Sequence, residues 1–110
     1  MAFRNNGKLI STTAFEDFYT CPAGKEAVVH ALYIANTHAT DDILVDVRVN
    51  IAVDTAGTFF IIQGAKIIKG TSLVFDKPIN LREGDIIQIK PNIATSCEAF
   101  ASILLEDESV

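Results

Sequence analysis

Four side chains in this sequence have the chemistry to hold a soft metal or to act in nucleophilic catalysis: His30, His38, Cys21 and Cys97. A structural zinc site takes four nitrogen or sulfur ligands, usually in close pairs. Cys21 and Cys97 are far from Cys-x-x-Cys spacing, and the two histidines fall separately, His30 in an apolar run and His38 in a polar one. They read as a strand histidine and a loop histidine. A Cys–His nucleophile needs a third group to orient the base and an environment that lowers the thiol pKa, and no motif here supplies either. The carboxylates of Asp41-Asp42, Glu83 with Asp85, and Glu106 to Glu108 lack the alternating Asp-x-Asp-x-Asp-Gly order of a calcium loop. They read as solvated turns and a tail, with a weak cation site shared between subunits as the alternative. There is no Gly-x-Ser-x-Gly elbow, phosphate loop or dinucleotide fingerprint, and Gly70-Thr71-Ser72 reads as a turn with a local hydroxyl bond. The expectation is a chain that is not an enzyme, with no catalytic residue, no cofactor and no metal.

Charge narrows the partners. A net charge of −5 and a pI near 4.8 oppose nucleic-acid binding, which needs many Lys and Arg against phosphates, and oppose anionic membrane surfaces for the same reason. Met1 to Lys8 has no apolar stretch of the signal-peptide kind, and apolar runs such as Phe59 to Ile62 are far short of the ~20 residues that span a bilayer. In a reducing cytosol Cys21 and Cys97 are expected to stay free and buried.

The elements that must position these groups are strands. Ser72 to Pro91 shows the pattern best: Leu73-Val74-Phe75, a stop at Pro78, Ile79 and Leu81 around polar Asn80, then Arg82-Glu83-Gly84-Asp85 as a tight turn into Ile86, Ile87 and Ile89. Gly84 and Asp85 are therefore structural turn residues, as are Pro22 and Gly24 in the turn from Cys21 to Lys25. Ala27 to Asn36 is apolar on both faces, Val28, His30, Leu32 and Ile34 on one and Val29, Ala31, Tyr33 and Ala35 on the other, which suits a central strand. Ile43 to Val53 has the cleanest period of two. Thr58 to Gln63 is another strand, with a break at Gly64-Ala65-Lys66, and Glu98 to Leu105 is the last.

No segment carries a helical period with caps, and 110 residues with 49 % hydrophobic content make one packed domain. The fold expected is all-β: a single antiparallel β-sandwich, jelly-roll-like, of about eight strands. Its core draws on Val29 or Val28, Ile34, Val45, Val47, Val49, Leu73, Phe75, Leu81, Ile87 and Ile103. Residues 1–8 are expected to form a flexible arm, 9–106 the sandwich with a first strand from Leu9 to Thr13, and 107–110 an acidic tail. The arm offers Phe3, Arg4 and Lys8 for interaction with a neighbour.

Several of these pieces resemble small β-sandwich virion proteins of tailed bacteriophages, of the type common in marine and cyanobacterial phages. They are Tyr19-Thr20-Cys21-Pro22-Ala23-Gly24-Lys25, Val28 to Asn36, Ser72 to Leu81 with Gly84-Asp85, and the closing Phe100 to Glu106. Leu81-x-x-Gly84-Asp85 followed by alternating apolar residues also occurs in cupins, but cupin enzymes carry a histidine cluster and both histidines here lie outside that hairpin. The resemblance implies a structural part of a particle, a capsid decoration or cement subunit or one attached at the neck or tail. Its partners would be other virion proteins and copies of itself, without nucleic acid or membrane, and it would be made in the host cytoplasm and carried in the virion. A receptor- or glycan-binding module of a phage fibre is the alternative from another class. The loops Thr37 to Asp42, Asp54 to Gly57 and Asn92 to Ser96 contain none of the aromatics such modules usually expose. A small jelly-roll enzyme is the third reading.

Overall fold

The computed structural model describes residues 2–107, and all of its regular elements are strands. In chain order they are β1 (Ala2–Ile10), β2 (Glu16–Thr20), β3 (Lys25–Asn36), β4 (Ile43–Ile51) and β5 (Gly57–Ile67). Then come β6 (Ser72–Phe75), β7 (Ile79–Leu81), β8 (Ile86–Pro91) and β9 (Cys97–Asp107). Every pairing is antiparallel. One sheet runs β1-β9-β3-β6, with β7 also on β3, and the other runs β2-β8-β4-β5. Because β6 and β7 pair with the same strand, they act as one edge strand broken at Asp76-Lys77-Pro78, where proline has no ladder donor to give. Counted that way, eight strands form two four-stranded sheets, and the chain changes sheet at every connection except β4 to β5. That is the jelly-roll arrangement.

The two sheets bury Ile10, Val29, Leu32, Ile34, Val45, Val47, Leu81, Ile87, Ile89 and Ile103 between them. Val49, Leu73 and Phe75, expected in the core, are only partly buried. Phe75 and Val49 both border the open side of the sandwich, beside the break between β6 and β7. Val53, expected to continue the inward face of β4, is 73 % exposed, because β4 ends at Ile51 and the chain turns away.

On β3 the strict alternation of two fails. Val29 pairs with Ile103 and Ala31 with Ser102, so His30 is an extra residue in a β-bulge. The bulge changes the parity of the strand: Ala27 and Val29 point inward before it, Leu32, Ile34 and Asn36 after it. This is why the sequence looks apolar on both faces, since each half of the strand uses a different parity for the same core. On β5 the expected break at Gly64 is likewise a bulge within one continuous strand. Gly64 takes φ 69° and its N–H donates to Asp46 Oδ1 at 2.6 Å.

Residues 2–8 are not a flexible arm. They are most of β1, paired residue for residue with β9 from Ala2–Leu105 to Ile10–Cys97. Even-numbered residues turn toward the opposite sheet, where Asn6 Nδ2 donates to the Phe18 carbonyl at 2.7 Å and Lys8 Nζ to the Asp17 carbonyl at 2.9 Å. A polar composition concealed this, because an edge strand can spend its inward side chains on backbone carbonyls rather than on apolar contacts. The strand also stops at Ile10, not Thr13. Of the expected tail, Asp107 is the last residue of β9 and pairs with Lys25, and 108–110 lie outside the described residues, as does Met1.

Candidate interaction surfaces

The four turn residues named from sequence are gathered at one end of the sandwich. Gly24 (φ 72°) and Gly84 (φ 84°) both adopt the left-handed backbone that glycine takes without steric cost. The Gly24 N–H donates to Glu83 Oε1 at 2.6 Å, the Gly84 N–H to the Cys21 carbonyl at 3.0 Å, and the Lys25 N–H to the Pro22 carbonyl at 3.2 Å. Asp85, only 6 % exposed, joins a third loop: Oδ1 accepts from the Ala52 N–H at 3.0 Å and Oδ2 from the Arg82 N–H at 2.9 Å. The cluster therefore locks the β2–β3, β4–β5 and β7–β8 connections together. A matching device at the other end was not legible in the sequence. Buried Asn36 donates to the carbonyls of Asp41 and Ile67, both at 2.9 Å, and accepts from the His38 N–H.

The residues with chemical potential are dispersed. His30 is exposed on its bulge, and His38 Nδ1 accepts from the Asp41 and Thr40 N–H groups of its own loop. Neither Cys21 nor Cys97 is part of a disulfide, and both are buried. Burial, then the nearby Glu16 charge, pushes the Cys97 thiol up to about 11, so it is protonated and inert at neutral pH. Native protein is expected to leave Cys97 unmodified by iodoacetamide at pH 7.5 over an hour, with full labelling in denaturant. Rapid native labelling, read by mass spectrometry, would contradict the burial. Among the described residues no group of three or more His, Cys, Asp or Glu side chains stands close enough to hold a metal ion.

Glu16 fastens the β1–β2 turn. Its Oε2 accepts from the Ser11 N–H (3.0 Å), the Thr12 N–H (2.8 Å) and the Thr12 hydroxyl (2.9 Å), and Lys8 lies 3.4 Å from Oε1. Burial alone would raise this carboxyl, but Thr12, Lys8 and Ser11 together hold it below its usual value. Asp42, held by the Lys69 N–H, and Asp107, held by Lys25, are lowered too. A carboxyl depressed by folding stabilises above its unfolded pKa of about 4.3 and loses that contribution as pH falls through the folded value. The melting temperature is therefore expected to fall on acidification below about pH 4, and Glu16→Gln to flatten that fall. An unaltered profile between pH 3 and 7 in the variant would remove Glu16 from the account.

The outer face of the first sheet is largely apolar. Register aligns Val74 on β6, Tyr33 on β3, Phe100 on β9 and Gly7 on β1 in one row across all four strands. Val74, Tyr33 and Phe100 are each exposed by more than 40 %, and the Tyr33 and Phe100 rings lie 6.4 Å apart. Neighbouring rows carry Leu9 and Ala35 on one side, then Asn5, Ser102 and Ala31, then Phe3, Leu104 and Val28 on the other. Between the Glu98 row and the Glu26–Glu106 pair, β1, β9 and β3 carry no Asp, Glu, Lys or Arg on this face, while exposed His30 stands on the β3 bulge and exposed Asp76 and Lys77 border it at the β6–β7 break. Where Gly7 has no side chain, a notch of about 410 Å³ opens, lined by Leu9, Tyr33, Ala35 and Phe100 together with Glu98. Of the three interaction candidates, Phe3 lies on this face and is 76 % exposed. Lys8 is engaged by β2, and the Arg4 guanidinium bonds the Phe3 carbonyl at 3.1 Å. The three do not make one patch.

The second sheet differs. Its outer face carries Arg48, bonded to Gln88 at 2.7 Å and stacked 3.6 Å from the Phe15 ring centre, with Gln88 bonded on to Asp17 at 2.7 Å. Its edge strand β5 exposes Phe59, Phe60 and Ile61 in succession, beside a groove of about 520 Å³ that includes Val49, Ile61, Phe75 and Pro78. Two bulges interrupt the β5 edge, a recognised guard against strand addition. No family model, curated protein or solved structure matches the chain.

Proposed function

We propose that the protein is a non-enzymatic structural subunit that works through protein–protein contacts, a virion β-sandwich of the tailed-phage kind that its sequence resembles, set on the capsid as decoration or cement or attached at the neck or tail. The observation that carries the reading is the four-strand apolar row Val74-Tyr33-Phe100-Gly7 on a face that needs none of it for its own core. An apolar face of this extent marks an interaction surface in proteins of this size. The two turn clusters make the body a rigid platform for such a face.

A glycan-binding reading would use Tyr33 and Phe100 as a stacking platform, but the rings are inclined at 43° to one another rather than coplanar. The test is location: labelled antibody or a reconstruction of intact particles should place the chain at a regular position on the head, neck or tail. Its absence from purified particles, with the protein left in the lysate, would overturn the reading.

A further inference from the structure

We propose that Asn6-Gly7 is a self-modification site held shut by β1: when the strand opens, the Asn6 side chain cyclises onto the Gly7 nitrogen, and the product no longer lets β1 close as before. The chemistry belongs to the chain alone and does not depend on the virion reading.

The reaction needs only water. The Gly7 backbone nitrogen attacks Asn6 Cγ and gives up its proton, the Cγ–Nδ2 bond breaks, and Nδ2 leaves with that proton as ammonia. Water then adds to one of the two carbonyl carbons of the five-membered succinimide and breaks its bond to nitrogen, giving aspartate by one route and isoaspartate by the other. Glycine favours the ring closure because it has no Cβ to crowd the attacking nitrogen. Of the six asparagines only Asn6 precedes a glycine; the others precede Asn, Thr, Ile, Leu and Ile.

Three features of the fold gate this step. First, the paired strand keeps the reacting atoms apart. Its extended backbone stands the Asn6 side chain roughly perpendicular to the sheet, and closing the ring turns the Asn6 ψ far from its extended value. The flanking pairs Asn5–Ser102 and Gly7–Phe100 oppose that rotation. The leaving amide is anchored as well, since Nδ2 donates to the Phe18 carbonyl across the sandwich at 2.7 Å.

Second, β1 can open while the core stays closed. It is an edge strand with β9 on one side only, and before Ile10 its inward residues are Ala2, Arg4, Asn6 and Lys8, which bury little apolar surface. Few buried apolar contacts make for a low free energy of local opening. Third, the product does not fit. Aspartate has no N–H for the Phe18 carbonyl and sets oxygen against oxygen there, although Arg4 and Lys8, two residues to either side, compensate in part. Isoaspartate runs the main chain through its side-chain carbon, one atom longer, so residues 2–5 lose their one-to-one register with β9. An unpaired β9 edge is left behind.

The test follows the full chain at 37 °C and pH 7.5 beside a synthetic peptide of residues 4–9, with peptide mapping by mass spectrometry to read the gain of about 1 Da at Asn6. The chain is expected to convert at least tenfold more slowly than the peptide, at the peptide rate multiplied by the open fraction that hydrogen exchange of the β1 amides reports. Lys8→Ala, which loosens β1 from β2 and leaves the reacting pair intact, should convert at least threefold faster than the parent. Gly7→Ala should slow chain and peptide alike at least tenfold, in a strand that accepts it, since a Cβ at Gly7 meets nothing closer than 3.8 Å. Converted chain, separated by ion exchange, should lose exchange protection over residues 2–8 and keep it in β3 and β8. The comparison of the parent with its own exchange rates does not depend on either variant folding. A chain that converts as fast as its peptide would show that β1 gates nothing. A chain that fails to convert at the rate its opening sets, or a converted chain with β1 as protected as before, would equally overturn the proposal.

Discussion

Asp85→Ala is expected to lower stability by about 2–3 kcal/mol, the loss of two hydrogen bonds to a buried carboxylate at roughly 1.5 kcal/mol each. The donors, the Ala52 and Arg82 N–H groups, belong to different connections, so the variant loosens the β4–β5 turn and the β7–β8 turn at once. The change leaves almost no apolar gain to offset this, because Asp85 sits among backbone groups at the end of the sandwich. Asp85→Asn keeps one carbonyl oxygen and should recover part of the loss. Urea unfolding of the three proteins decides it: an alanine variant within 0.5 kcal/mol of the parent, the range of an ordinary surface change, would mean that the three loops do not depend on Asp85.

Removal of residues 2–8 should cost about 3 kcal/mol or more, a fall of roughly 12 °C or more in melting temperature at ~4 °C per kcal/mol. The truncation strips the partner strand from β9 along most of its length and takes away the Asn6 and Lys8 bonds that close the sandwich over β2. It also turns β9 into an edge. Ala99 to Leu105 contains no charged residue, and an uncharged, apolar edge strand invites pairing with other chains. The truncated protein is therefore expected to aggregate on heating where the parent unfolds soluble. A truncated chain that melts within 3 °C of the parent and stays monodisperse would return residues 2–8 to the status of a loose terminus. Phe3→Asp provides the contrast, because Phe3 points away from the core and its replacement should leave the fold intact.

The all-β class was legible in the sequence, because a period of two is a local property: the inward set of β4, Ile43, Val45, Val47 and Val49, follows from backbone geometry alone. Turns whose chemistry is local were equally plain, as with Gly24 and Gly84, where only glycine takes the required φ at no cost. What depended on pairing was not. β1 has a polar composition and exists as a strand because β9 supplies its hydrogen bonds. His30 is a bulge residue only because Ile103 and Ser102 opposite it are adjacent while Val29 and Ala31 are not. Asp85 looks like an ordinary turn residue, and Asn36 like the last residue of a strand, until three connections converge on the one and the β3–β4 loop and the end of β5 on the other. The candidate interface is the clearest case: Val74, Tyr33, Phe100 and Gly7 are scattered over the chain, and only antiparallel register sets them in one row. Alternation along a strand is written in consecutive residues, whereas a surface across strands is set by which strands lie side by side, and the core decides that.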